Sequence, residues 1–133
     1  MIRVFLDTSA ILALLNPKDE HHGRARRVFE SLRAQEAGLV TTSYVLVETY
    51  AIIGGRMGLA AVRAFRSDWA PLADVVWVDP ETHEAGLDLL LERKRRDLSL
   101  VDAVSFIVMR RRGLEHAFAF DPHFEDESFS LLR

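Results

Sequence analysis

Val4-Phe5-Leu6-Asp7-Thr8-Ser9-Ala10 is an apolar run closed by an acid and two hydroxyls, after which apolar spacing resumes. Residues 2–6 are short and rich in β-formers, so they read as a strand. Thr8–Leu15 carries Ala10, Ile11, Leu14 and Leu15 at helical spacing, and Asn16-Pro17 stops it. The same alternation runs through the rest of the chain. A helix from about Glu20 to Gln35 turns Ala25, Val28, Phe29 and Leu32 to one face, and Gly38–Thr42 is a second strand. Thr42 or Ser43 caps the next helix, which ends near Gly54-Gly55. Gly58–Trp69 is a further helix with Leu59, Val62, Phe65 and Trp69 inward, ended before Pro71. Val75–Val78 reads as a third strand. Pro80 starts a helix bearing Ala85, Leu87, Leu90 and Leu91, which leads into Arg93-Lys94-Arg95-Arg96. Ser99–Arg112 is the most apolar helix, closed by Gly113. Residues 117–120 form strand four and Ser128–Leu132 a short edge strand. Strands alternating with helices in this way predict an α/β fold. The expected architecture is a three-layer α/β/α sandwich on a mainly parallel sheet of four to five strands, one domain over residues 1–133.

Composition sets wide bounds. At 133 residues, 49% hydrophobic and 28% charged, the chain can bury a proper core. Its net charge of -3 gives no global basic field. Without cysteine, disulfides and thiolate metal sites are excluded. The apolar start is cut at Asp7, and no apolar run reaches the ~18 residues of a membrane helix. A cytoplasmic location with no membrane attachment is expected.

Four acids stand out: Asp7, Glu48, Asp102 and Asp121. Asp7 and Asp121 each end an apolar strand, Glu48 interrupts the apolar helix Tyr44–Ile53, and Asp102 opens Leu100–Met109. Taken singly, Asp7 reads as a helix N-cap, Asp102 as part of a capping box with Ser99, and Asp121-Pro122 as a turn opener. Glu48 has no capping or turn role. Ligands of parallel sheets sit outside the carboxyl ends of the strands, and topology alone places Asp7, Asp102 and Asp121 on that rim. Glu48 joins them if its helix packs beside strand one. Clustered carboxylates raise one another's pKa unless a cation holds them ionised. Mg²⁺ or Mn²⁺ suits such oxygen ligands, and activates water and phosphate. No lysine or histidine stands where a general base would be needed, and His123 reads as a possible substrate contact rather than a ligand.

Phe5-Leu6-Asp7-Thr8-Ser9-Ala10, Val47-Glu48, Asp97-Leu98-Ser99-Leu100-Val101-Asp102-Ala103 and Phe120-Asp121-Pro122-His123-Phe124 occur in an order and spacing that resembles PIN-domain ribonucleases. Within them, the VapC-type toxins of toxin–antitoxin pairs are the nearest likeness. The resemblance implies that Asp7, Glu48, Asp102 and Asp121 are catalytic metal-site residues. It implies that Thr8, Ser9 and Ser99 position water or phosphate, and that single-stranded RNA is cut to a 3′-hydroxyl and 5′-phosphate by metal-activated water. It further implies a small antitoxin partner and a homodimer. Asp97 reads as a structural or capping acid.

Other features have plainer readings. The runs Arg93–Arg96 and Arg110–Arg112 complement helix dipoles, with an RNA-backbone track as the minority reading. Tyr44, Trp69 and Trp77 read as core rather than base-stacking platforms, and Ile11, Leu14 and Leu15 as core rather than an antitoxin dock. His21 and His22 read as surface residues. Rival functions are a housekeeping PIN nuclease for RNA processing and a non-catalytic RNA-binding or scaffolding module. A phosphoacceptor receiver domain needs a lysine at the end of a late strand, and the chain's lysines are Lys18 and Lys94.

Overall fold

Strands β1 (Arg3–Leu6), β2 (Gly38–Thr42), β3 (Ala73–Val76), β4 (His116–Phe118) and β5 (Ser130–Leu132) form one sheet in the order β3-β2-β1-β4-β5. Every pairing is parallel. The computed structural model describes residues 2–133, and Met1 lies outside the described residues. Successive strand side chains point to opposite faces, yet Val4, Phe5 and Leu6 are all buried. Both faces of the sheet are therefore covered, as a parallel sheet requires. The covering helices are α1 (Thr8–Leu15), α2 (His22–Ala34), α3 (Ser43–Met57), α4 (Leu59–Ala64), α5 (Pro80–Arg93), α6 (Leu100–Arg112) and the short α7 (His123–Asp126). The expected three-layer α/β architecture is the one observed.

Local chemistry explains the element ends that matter for the rim. Thr42, not Ser43, caps α3, its hydroxyl accepting the N–H of Val45 at 3.1 Å. Ser43 instead accepts the N–H of Val78 at 2.9 Å, tying the end of β3 to the start of α3. The buried Thr41 hydroxyl donates to the Leu6 carbonyl at 2.8 Å, where β1 runs out of ladder partners. Helix α6 starts at a full capping box between Ser99 and Asp102 and stops at Gly113 in the left-handed conformation, φ 66°.

Several expected boundaries move. Helix α3 continues through Gly54-Gly55 to Met57 and is ended by Gly58, φ 87°. The segment expected to be helical from Gly58 to Trp69 divides into α4, a π-helical turn (Phe65–Trp69) and a 3₁₀ turn (Ala70–Leu72). Leu59, at its start, is 68% exposed rather than inward. Strand β3 begins two residues before the expected Val75 and ends before Trp77, so Trp77 leaves the sheet and is 75% exposed, not core. Strand β4 is His116–Phe118, because the Phe120 N–H is taken by the Ser9 hydroxyl instead of a neighbouring strand. On α5 the buried positions are Gly86 and Leu89, and Leu91 is exposed. Helix α6 crosses closely at Gly86, where a Cβ would stand 2.5 Å from Val104 Cγ2 and force a shift. Ile11 and Leu14 are core, as expected, with Leu15 half-buried against them.

Candidate metal centre

Asp7 follows β1 and is the N-cap of α1. Its Oδ2 accepts the Ser9 N–H at 3.1 Å and the Ser9 hydroxyl at 2.6 Å. The same hydroxyl accepts the Phe120 N–H at 2.9 Å, so one serine fastens the ends of β1 and of the β4 loop together. The capping reading of Asp7 is thus correct, and its carboxyl also stands near those of Asp102 and Asp121. Asp7 is only 4% exposed. Burial pushes its carboxyl up to about 7 against the Ser9 hydrogen bonds, with the Asp102 and Asp121 charges adding to the rise.

Asp102 enters from α6. Its carboxylate accepts the Ser99 N–H at 3.2 Å while the Ser99 hydroxyl accepts its own N–H at 3.1 Å. Burial raises its pKa, the Ser99 N–H opposes, and the Asp121 charge adds. Asp121 lies three residues beyond β4. Its Oδ1 accepts the His123 N–H at 2.9 Å in an Asx-type turn. That turn folds the His123 ring back over the acids. Nδ1 stands 2.8 Å from Asp121 Oδ1 and 3.7 Å from Asp102 Oδ2. Asp102, Asp121 and His123 each offer a ligand atom, all within 4.8 Å of one another.

The structure brings His123, read from the sequence as a possible substrate contact rather than a ligand, alongside Asp102 and Asp121. The spacing Asp121-Pro122-His123 was the available signal, since an aspartate accepting from the residue two ahead brings that residue's side chain alongside. Asp97, read as a capping acid, contacts His123 Nε2 at 3.0 Å and Arg95 at 3.1 Å. Those two partners, His123 first, hold its carboxyl down at about 2. For His123, burial acts downward, and Asp97 and Asp121 outweigh it, so the net direction is upward.

Glu48 is placed on the same side but apart from the tight group. It lines a shallow cleft with Tyr44, Val47 and Val101, and Val101 immediately precedes Asp102. Helix α3 packs on α1 and α6. Between α3 and α1, the Thr49 hydroxyl donates to that of Thr8 at 3.4 Å. Of the three hydroxyls expected at the substrate, Ser9 and Ser99 are engaged in holding Asp7 and Asp102, and Thr8 meets Thr49.

The basic runs are largely paired. Arg93 and Arg110 both donate to Glu127, Arg95 to Asp126 and Asp97, and Arg111 to Glu81. Both histidines expected at the surface are half-buried: His21 stacks on Phe120 at 4.5 Å between ring centroids, and His22 Nδ1 lies 2.7 Å from the Ala13 carbonyl.

Three distant segments therefore bring carboxylates together, and among the described residues their one ion-pair partner is His123. Two buried acids and the half-buried Asp121, with no lysine or arginine paired to them among the described residues and a buried imidazole nitrogen beside them, form a donor set that fits a divalent cation.

Comparison with known proteins agrees with the fold. The PIN domain profile matches residues 4–129. The 23S rRNA-specific endonuclease VapC20 of Mycobacterium tuberculosis is 35% identical over 131 residues, 98% of each chain. The crystal structure of Mycobacterium tuberculosis VapC20, a Sarcin-Ricin loop cleaving toxin, is similar with TM-score 0.81 and 36% identity over 95% of both chains. DNA-bound VapBC from Salmonella typhimurium aligns with TM-score 0.71 at 16% identity over 98% of this chain and 97% of that one, a likeness of fold alone. The chain belongs to the PIN-domain family.

Proposed function

We propose that this protein is a divalent-metal-dependent endoribonuclease, the toxin of a toxin–antitoxin pair, cutting single-stranded RNA in the cytoplasm. The observation that carries the reading is the convergence of Asp7, Asp102 and Asp121 on one rim with no lysine or arginine paired to them among the described residues. The 35% identity to a 23S rRNA-specific endonuclease supports RNA as substrate and makes ribosomal RNA the first target to try. Residues 1–133 act as a single PIN-like domain. No helix of the described residues is long and apolar enough to cross a membrane.

In this reading Asp7, Glu48, Asp102 and Asp121 hold Mg²⁺ or Mn²⁺. When bound, the cation supplies Lewis-acid activation of water and of the scissile phosphate. Ser9 and Ser99 act through the carboxylates they fasten, fixing which oxygens face the substrate. Thr8 stands beside Asp7 and orients phosphate or water. Asp7 supplies a fixed negative charge that an amide cannot replace. The exposed apolar side chains of Val47, Trp77 and Leu91 support a homodimer, and the likeness to VapC20 supports a small antitoxin partner.

The test is cleavage of ribosomal and total cellular RNA, with cut sites mapped for wild type and Asp7→Asn in parallel. Wild type is expected to cut at discrete unpaired sites with Mn²⁺ or Mg²⁺ and to stop in EDTA. Asp7→Asn is expected to lose at least about a hundredfold in rate, as losing a group that acts on charge in the transition state does. Equal cutting by the two proteins, or cutting indifferent to chelator, would overturn the reading.

A further inference from the structure

We propose that His123 is a nitrogen ligand of the divalent cation through Nδ1, with Asp97 as the positioning residue behind its ring, so that the site prefers Mn²⁺ to Mg²⁺. The inference rests on the metal-dependent reading above and goes past it, because that reading assigns the cation to carboxylates alone.

Four observations carry it. First, His123, Asp102 and Asp121 each offer a ligand atom within 4.8 Å of the others, and Nδ1 is the ring nitrogen on the side of both acids. Second, Nδ1 is a buried side-chain nitrogen with no hydrogen-bond partner. Asp121 Oδ1, 2.8 Å away, pairs with the ring by charge when the ring is protonated but lies outside hydrogen-bonding geometry for it. Third, the opposite nitrogen is accounted for. Nε2 meets Asp97 Oδ2 at 3.0 Å, so a proton on Nε2 is held by that carboxylate and Nδ1 is the nitrogen that faces Asp102 and Asp121, where a cation would take the place of its proton. That carboxylate–histidine arrangement fixes the tautomer and makes the imidazole a better donor, as it does for metal-bound histidines generally. Fourth, Asp97 is itself braced by Arg95, which also reaches Asp126, so the ring is held from outside the site by a fixed chain of contacts.

The metal preference follows from donor chemistry. Mg²⁺ takes hard oxygen ligands and keeps its waters, whereas softer first-row ions accept imidazole readily. Replacing one oxygen by the His123 nitrogen therefore costs Mg²⁺ more than Mn²⁺.

The test uses the untagged full chain loaded with Mn²⁺ and examined by electron spin-echo spectroscopy, with Mn²⁺ and Mg²⁺ affinities from calorimetry. Wild type is expected to show ¹⁴N coupling to Mn²⁺ that changes to ¹⁵N coupling when histidine is ring-labelled. His123→Gln should lose the coupling and bind Mn²⁺ at least about tenfold more weakly, with Mg²⁺ affinity nearly unchanged. Asp97→Ala, at an exposed position, should weaken Mn²⁺ about tenfold and alter the nitrogen coupling. His21→Gln should leave both as in wild type. Mn²⁺ bound without nitrogen coupling, coupling that survives His123→Gln, or equal losses for both ions would overturn the proposal while leaving a carboxylate metal site standing. Failure of wild type to bind Mn²⁺ would overturn the proposal and the metal-dependent reading together. If His123→Gln does not fold, the labelled wild-type spectrum decides alone.

Discussion

Asp7 carries two duties that pull against each other. As the N-cap of α1 it stabilises the helix start, yet burial beside Asp102 and Asp121 makes its negative charge costly. With its carboxyl pushed up to about 7, the metal-free protein at pH 8 carries a buried anion that folding must pay to desolvate. Asp7→Asn keeps an acceptor for the Ser9 N–H and hydroxyl and removes the charge. The variant is expected to unfold at a higher temperature than wild type in EDTA at pH 8, by an amount worth at most roughly 4 kcal/mol. With saturating Mn²⁺ the order should reverse, because the wild type gains binding energy that the variant lacks. Calorimetric melts of both proteins with and without the ion check this; a variant less stable than wild type in EDTA would show that capping outweighs the buried charge. The sequence allowed a capping reading and a metal-site reading of this residue as rivals. In the structure the two are compatible, since the turn that caps α1 also sets the carboxylate near Asp102 and Asp121.

Elements were legible where a single local signal decides them. Thr8–Leu15, Gly38–Thr42 and the run closed by Gly113 end where capping or breaking residues say they should. They were misread where a distant partner decides. Trp77 extends an apolar run but has no neighbouring strand to pair with, and on α5 the face against α6 is the one carrying Gly86 and Leu89, which leaves Leu91 exposed. The arginines of α5 and α6 are a further case: helix dipoles account for cations at these ends, but Glu127 decides where they point. Its carboxylate takes Arg93 Nε at 2.8 Å and Arg110 Nη2 at 2.6 Å, joining two helix ends to the segment after α7. Hydrogen bonds from Arg93, then those from Arg110, hold it down at about 2 against the effect of burial. A carboxyl depressed in the folded state stabilises at every pH above its unfolded value near 4.5, and that contribution is lost as pH falls toward 2. Glu127→Gln is therefore expected to cost about 1–2 kcal/mol at pH 7 once screening around the half-exposed arginines is allowed for. The gap between wild type and variant should close as pH is lowered from 4.5 to 2 in urea titrations. A gap that stays constant with pH would mean the clamp acts through packing rather than charge.

At the scale of the whole molecule, strand order explains why the acids meet. From β1 the chain builds outward through β2 to β3, then returns across the sheet to lay β4 on the other side of β1. The switch point thus lies between β1 and β4, where parallel sheets leave a crevice at their carboxyl ends. Asp7 leaves β1 there and Asp121 leaves β4 there, while α6 delivers Asp102 on its way into β4. That much of the site could be read from alternation alone. The nearness of His123 could not, because it depends on a two-residue turn, and neither could the standing-off of Glu48 in its cleft with Val101, which depends on how α3 packs. Because the cation would join segments far apart in sequence, its binding should be felt by all of them at once. Hydrogen exchange with and without Mn²⁺ is expected to show added protection of backbone amides at residues 8–10, 100–104 and 119–123 together. The loop bearing Trp77 should be unchanged. At a hundredfold excess over the dissociation constant the gain is about 2.7 kcal/mol, which for a chain of this size raises the melting temperature on the order of 10 °C. Protection confined to one of the three segments would mean that the ion sits on a single turn, and the rim would then not be a shared site.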